Sequence, residues 1–296
     1  VDWLCRPENQ SRCRKAAFEL ASIFSSEVGT KAIWQRLREP NTVHTDPYAP
    51  AFNPLPSDFG YYLPQSAPAN LPEDFHGTYE AFQVLSGLNY KPDFVIDVGA
   101  STGIWSHAAT LVWPRSRYIL IDPLFKRYPS TIEHPRFERV EAGASNRDGE
   151  TVIEVSEDLY NSSLISLGEL GKQAEKIAID LVKVDTVAKE RKLTGRGLLK
   201  IDVQFAEHLV VQGAASILQE QIDFVLLELT LVRPNDRAKT LIEMFNMMDE
   251  YGFVYFDDLG EWRSPATGRL EQKDILFIRK DLEDLLPKET LYRKSA

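Results

Sequence analysis

The chain has 296 residues, 43% of them apolar and 26% charged, which is the balance of an ordinary soluble globular protein and rules out a disordered one; at about 100–200 residues per domain it makes two compact units, or one large domain with an extension. Its 34 basic and 44 acidic side chains give a net charge of −10, which disfavours nucleic acid and anionic membrane as partners, because phosphate contacts need a basic face. No stretch approaches the ~20 apolar residues of a membrane span, and two cysteines are too few for a disulfide framework or a four-cysteine zinc site.

Those cysteines, Cys5 and Cys13, read as free thiols in a reducing compartment, although a bridge closing a short loop is the alternative. No basic, apolar and small-residue series of signal-peptide type opens the chain, so a cytoplasmic protein is expected. Residues 11–38 read as helix, with Ala17, Leu20, Ala21 and Phe24 at helical spacing and then Ile33, Trp34 and Leu37. Pro40 ends that pattern. From Pro40 to Pro72 the chain holds eight of its 17 prolines, an extended arm whose path proline fixes at low entropy cost. Its aromatics (Tyr48, Phe52, Phe59, Tyr61, Tyr62) argue for an arm packed over the following domain, with a lid or substrate wall as the sharper alternative. The expected division is an N-terminal extension over 1–75 and a main domain over 76–296.

From about residue 77 strands and helices alternate. Thr78 to Leu88 reads as helix. Phe94–Val98 is a buried-strand run, followed by a glycine-bearing turn and a helix over Ile104–Val112, whose Trp105 and the following Trp113 are expected to pack that helix against the sheet. Strands are expected at Tyr118–Ile121, Phe137–Glu141 and Leu198–Ile201, and at Phe224–Leu227 ending on Glu228. Thr151–Val155 alternates and follows Asp148-Gly149, a hairpin signal. Helices are expected over Glu207–Leu218 and Ala238–Glu250. Phe253–Phe256 and Ile275–Ile278 close the set, joined by Asp257–Lys273, which holds the turn formers Gly260, Pro265 and Gly268. Alternating strands and helices imply a largely parallel sheet covered on both faces, and the helix-free final connection suits an antiparallel pair. The fold class expected is therefore α/β: a Rossmann-like methyltransferase fold with a mostly parallel seven-stranded sheet, an antiparallel last strand and the helical, proline-rich extension.

Ligands of such sheets sit outside the carboxyl ends of the strands, and four acids fall at expected strand ends: Asp97, Asp122, Asp202 and Glu228. The first turn reads D-V-G-A-S-T-G, Asp97 to Gly103. Gly99 and Gly103 bracket a tight turn where a side chain would obstruct a ligand. This is not the dinucleotide pattern G-x-G-x-x-G, and an acid ahead of the turn favours a ligand carrying an ammonium group over a pyrophosphate. Asp122 lies about 20 residues on, the place of the acid that hydrogen-bonds ribose hydroxyls. S-adenosylmethionine, a cationic nucleoside, meets both requirements. Asp97, Gly99, Ala100, Ser101, Gly103 and Asp122 are the expected cofactor residues, with Ala144 and Ser145 past the third strand.

The chain resembles the FkbM family of methyltransferases. The matching stretches are V-I-D-V-G-A-S-T-G-I-W-S (Val95 to Ser106), V-D-T-V-A (Val184 to Ala188), L-L-K-I-D-V-Q-F-A-E (Leu198 to Glu207) and G-R-L-E-Q-K-D-I-L-F-I-R (Gly268 to Arg279). The resemblance implies methyl transfer from S-adenosylmethionine to a hydroxyl of a sugar, glycan or polyketide-type small molecule; it does not cover residues 1–75. The family usually has glycine where this chain has Phe205, so Phe205 either takes an ordinary backbone conformation or projects its ring into the pocket.

Methylating an alcohol needs the oxygen held in line and a base for its proton. Asp202 is the first candidate, Glu228 and Glu207 the second, and Lys200 is expected to hold a carboxylate ionised or to form a structural ion pair. A divalent metal on Asp202 and Glu228 has the right oxygen chemistry but is not favoured, since two carboxylates do not make a site. The five histidines show no H-E-x-x-H pairing; His208 and His76 read as polar structural residues. Ser162 and Ser163 read as a loop capping its own backbone, with cofactor or acceptor contact as the alternative. Other classes kept in view are an NAD(P)-dependent oxidoreductase on a similar sheet, and a methyltransferase-fold binding module without turnover.

Overall fold

The computed structural model describes residues 66–69, 71–156, 159, 162–164, 175–232 and 236–283. Both cysteines, the helical segment over 11–38 and the arm from Pro40 to Pro64 lie outside the described residues. Helices are α1 (His76–Gly87), α2 (Ile104–Val112), α3 (Val184–Glu190), α4 (Glu207–Gly213), α5 (Ala215–Glu220), α6 (Leu241–Glu250) and α7 (Lys280–Glu283). Strands are β1 (Phe94–Val98), β2 (Arg117–Ile121), β3 (Phe137–Val140), β4 (Gly143–Ala144), β5 (Gly149–Val155), β6 (Glu175–Val182), β7 (Gly197–Ile201), β8 (Ile222–Thr230), β9 (Phe253–Arg263) and β10 (Leu270–Arg279).

Seven strands form one sheet in the order β3-β2-β1-β7-β8-β10-β9. The five from β3 to β8 run parallel, and β10 is antiparallel to both neighbours. That is the Rossmann-like methyltransferase layout expected from the sequence. Every residue of β1 and β7 is buried, as in the middle of a doubly covered sheet, and their two charged members, Asp97 and Lys200, are cross-strand partners. The strand order reverses beside β1, so the carboxyl ends of β1, β2 and β7 form the edge where ligands bind in such sheets.

Helices cover the sheet through aromatic contacts. Phe82 of α1 meets Trp105 of α2 edge-on at 5.2 Å and Trp113 at 4.8 Å, so the tryptophans pack α2 against its neighbours. Ala67, Leu71 and Phe75, placed in the extension, pack here too: Leu71 is buried with Tyr79 and Ala108, and His76 Nε2 donates to the Leu71 carbonyl at 2.9 Å. No helix among the described residues is long and apolar enough to cross a membrane.

Several elements differ from the sequence reading. The strand containing Glu228 runs on to Thr230, so Glu228 lies inside β8, cross-strand from Asp274. The final pair is a long hairpin with strands reaching Arg263 and Leu270, because Ser264 and Arg269 close the turn by themselves. The helix expected over Glu207–Leu218 is two helices meeting at Ala214. The Asp185 carboxylate accepts the Ser216 and Ile217 N–H groups at 3.0 and 2.9 Å, and so caps a fresh helix start. Asp148-Gly149 does not close a hairpin. Its strand pairs with the unforeseen β6 in a second sheet, β4-β6-β5, and Asp148 instead accepts the Lys183 N–H at 2.8 Å and the Thr186 hydroxyl at 3.0 Å at the start of α3.

Candidate active site

The turn after β1 is stitched to its neighbours by backbone bonds. Gly99 donates to Ile121 at the end of β2 at 2.9 Å, and Asp202 at the end of β7 donates to Val98 at 3.1 Å. Gly99 sits at φ +75°, and a Cβ on it would lie 1.7 Å from the Asp202 carbonyl oxygen. Glycine is therefore demanded first by the approach of β7, not by a ligand alone. Gly103, at φ +87°, precedes α2.

A cavity opens at this edge. Gly99, Ser101, Asp122 and Asp202 line it, together with Val203, Gln204 and Ala144. Its other wall is apolar, built from Leu124, Tyr128, Ile153, Leu159, Leu164 and Ile179, most of them in a cluster where the second sheet packs. Ser162 and Ser163 also line it. Ser162 donates to the Leu159 carbonyl at 2.8 Å and accepts the Ser156 N–H at 3.2 Å, the self-capping loop expected, whereas Ser163 reaches the Gln204 carbonyl.

Asp122 is the anchor of the cofactor side. Its carboxylate accepts the Ser101 N–H at 2.9 Å and the Leu124 N–H at 2.7 Å. With the Tyr128 hydroxyl as a third donor at 3.5 Å, these bonds still leave part of a carboxylate's acceptor capacity free. Burial pushes its pKa up, so further donors at this carboxylate favour the charged form. Ser101, at φ +50°, carries a buried hydroxyl without a hydrogen-bond partner among the described residues, and buried polar atoms of that kind call for one. A group rich in hydroxyl donors and polar ends fits this wall.

Asp97, Ala100, Gly103 and Ser145 do not line the cavity. Ala100 and Ser145 are buried, and their N–H groups go to Ile121 and Val182. Asp97 is fully buried behind the wall, taking the Ser106 hydroxyl at 2.7 Å and facing Lys200 at 3.3 Å. Parallel register makes the last two cross-strand partners. Lys200 also meets Asp202 at 3.1 Å and donates to the Gly99 carbonyl at 3.2 Å. Burial opposes its charge, but Asp202 and Asp97 outweigh that and raise its pKa.

The remaining acids cluster beyond Asp202. Glu228 receives the side-chain amides of Gln204 at 3.0 Å and Gln272 at 2.9 Å. Burial, then Asp202, Asp274 and Glu207, push its pKa well up. Asp274 is pushed to about 6 by burial and Asp202. Glu207 accepts the Val203 N–H at 3.2 Å and the Phe205 N–H at 3.1 Å through one oxygen, and burial raises its pKa to about 7. Among the described residues no group of three or more His, Cys, Asp or Glu side chains is arranged to hold a metal ion.

Phe205 follows neither expected course. Its φ is +77°, so its backbone is not ordinary, and its ring does not line the cavity. His208 is a helix residue in α4, with its pKa lowered by burial. The apolar wall and Gln204 were missed in the sequence; the alternation of Ile177, Ile179 and Leu181 was the available signal for β6.

The raised Glu207 pKa sets a pH dependence. Its folded state holds a proton that the unfolded chain, near 4.5, releases earlier. Its contribution to stability is thus present below about 4.5 and lost as pH rises to about 7. Glu207→Gln keeps an oxygen for both N–H groups and removes that titration. In urea unfolding at pH 5 and pH 8, the variant is expected to gain on the wild type as pH rises; parallel stabilities at both pH values would contradict the assignment.

Residues 97–255, more than half of the chain, match the family described as the methyltransferase FkbM domain. No curated protein matches. Among solved structures, a methyltransferase FkbM from Methylobacillus flagellatus KT is 15% identical, with 63% of this chain and 43% of that one covered and a TM-score of 0.39; this chain thus spans less than half of its length. A SAM-dependent methyltransferase from Agrobacterium tumefaciens is 11% identical, with 70% and 62% covered and a TM-score of 0.41. A Burkholderia thailandensis 1,6-didemethyltoxoflavin N1-methyltransferase, bound to S-adenosylhomocysteine, is 14% identical, with 70% and 80% covered and a TM-score of 0.36.

Proposed function

The chain belongs to the FkbM methyltransferase family, and from that premise we propose that it moves a methyl group from S-adenosylmethionine to a hydroxyl of a sugar, glycan or polyketide-type small molecule. Family membership favours this over the oxidoreductase alternative. S-adenosylmethionine supplies an electrophilic methyl group. Asp122 and Ser101 would hold its ribose and polar end, and the apolar wall around Tyr128 and Ile179 would take its base. On the acceptor side Asp202 is the base. It is a third exposed, lines the cavity and keeps Lys200 as its counter-ion, so it is available to take the hydroxyl proton as the alcohol oxygen is alkylated. Glu207, which is buried, and Glu228, which is half-buried, stand second. The acidic net charge supports a small-molecule or glycan acceptor over a nucleic acid, whose phosphates need a basic face.

The observation that carries the cofactor reading is Asp122 on the cavity wall, joined to the Ser101 N–H of the β1 turn. Asp122→Ala is expected to weaken S-adenosylhomocysteine binding by about 1–3 kcal/mol, the range of hydrogen bonds to a charged group. Calorimetry checks this, with circular dichroism to confirm the fold; unchanged affinity would remove Asp122 from the site.

A further inference from the structure

Gln204 lies at φ +54° and Phe205 at φ +77°. Two successive left-handed residues that are not glycine are strained, and such strain persists only where the surroundings over-determine it. Here they do. Glu207 accepts the N–H groups on either side of Gln204, and the Ser163 hydroxyl from the loop after β5 donates to its carbonyl. The side chain then turns back along the cavity edge, where its Nε2 lies 3.3 Å from Asp202 Oδ1 and 3.0 Å from Glu228 Oε2.

We infer that this turn exists to set Gln204 as a bridge between Asp202 and Glu228, which makes Gln204 the positioning residue for the acceptor-side carboxylates. The inference rests on the role proposed above for Asp202. The chemistry is specific. A primary amide nitrogen has two N–H donors and no charge, and here each donor meets one of two acids that repel each other. With Lys200 on Asp202 Oδ2 and Gln204 on Oδ1, the base is held from both oxygens. Glu228 Oε2 accepts both the Gln204 and the Gln272 amides. Glycine or asparagine adopts a left-handed turn with less strain, so a turn needed only for chain direction has no use for a glutamine.

The test compares Gln204→Gly with Phe205→Gly. Both remove a strained side chain, but only the first removes the bridge. Each is followed by thermal unfolding, by calorimetry with S-adenosylhomocysteine, and by a carboxyl-carbon NMR titration of Glu228. The groups facing Glu228 are Lys200 of β7, Asp202 just past it, Asp274 of β10 and Glu207 of α4, and none is altered. Loss of a donor to the charged form moves a carboxylate's midpoint up, so Gln204→Gly is expected to raise the Glu228 midpoint by about one pH unit. Thermal midpoint and cofactor-product affinity should stay within a few degrees and about threefold. Phe205→Gly should leave the Glu228 titration in place. On an alcohol acceptor, Gln204→Gly should lower kcat about tenfold or more, shift the acid limb of its pH profile and spare KM. An unmoved Glu228 titration in a folded Gln204→Gly protein overturns the inference. So does unfolding of both Gln204→Gly and Gln204→Asn, which would make the residue structural. If no alcohol is methylated but the titration moves, the Asp202 role fails while the bridge stands.

Discussion

Asp202→Asn is expected to bind S-adenosylhomocysteine as the wild type does and to lose about 10²–10⁴-fold in methyl transfer, the usual cost of removing a positioned general base. The substitution keeps the shape of the side chain and leaves Asp97 to face Lys200 at 3.3 Å, so a buried lysine is not abandoned without a counter-charge. What disappears is an acceptor for the hydroxyl proton at the cavity edge. Turnover measured with labelled methyl donor and a panel of sugar and polyketide alcohols reads this directly. Normal turnover would pass the role to Glu228, whose carboxyl on β8 is bridged to Asp202 by Gln204, or to Glu207. Loss of both binding and turnover would mean that Asp202 holds the β1 turn together and is not its chemical partner.

The second large effect is on stability. Gly99→Ala should cost about 4 kcal/mol or more, in the range reserved for core strain and collision, because its Cβ would stand 1.7 Å from the Asp202 carbonyl at a positive φ. The control is Gly252→Ala. Gly252 has φ +87° with nothing within 4 Å of the added Cβ, so only the left-handed penalty of about 1–2 kcal/mol remains. Urea unfolding of the two variants separates backbone preference from collision. Equal losses would show that β7 does not approach the β1 turn as closely as described, and the site's geometry would need redrawing.

The sheet was legible because its central strands carry their own signal. Phe94–Val98 and Leu198–Ile201 are buried from end to end, and short runs broken only by Asp97 and Lys200 have few other uses. Asp122 was legible from spacing alone, and it does face the cavity that Ser101 and Gly99 line. Asp97 lies behind the cavity wall for a physical reason. Strand periodicity says that a side chain leaves the turn on a given face, but not that Ser106 and Lys200 will enclose it. The second sheet was missed because β6 exposes Lys176, Ala178 and Asp180 on its open face and opens on the exposed Glu175 on the other, which dilutes an apolar alternation. Asp148-Gly149 misled because aspartate before glycine marks a turn locally, whereas Asp148 is spent on the start of α3 across 35 residues of sequence. Gln204 was invisible for a similar reason: its left-handed turn is held by Ser163 from 41 residues away as well as by nearby Glu207, and its amide reaches Glu228 on another strand. The resemblance did point at position 205, where glycine would take the observed φ of +77° without strain.

The central claim is that the edge formed by β1, β2 and β7 holds S-adenosylmethionine. Calorimetric titration of the intact chain with S-adenosylhomocysteine, and in parallel with NAD, tests it most directly. The expected result is saturable binding of S-adenosylhomocysteine and no heat from NAD; binding of NAD with no response to S-adenosylhomocysteine would contradict it.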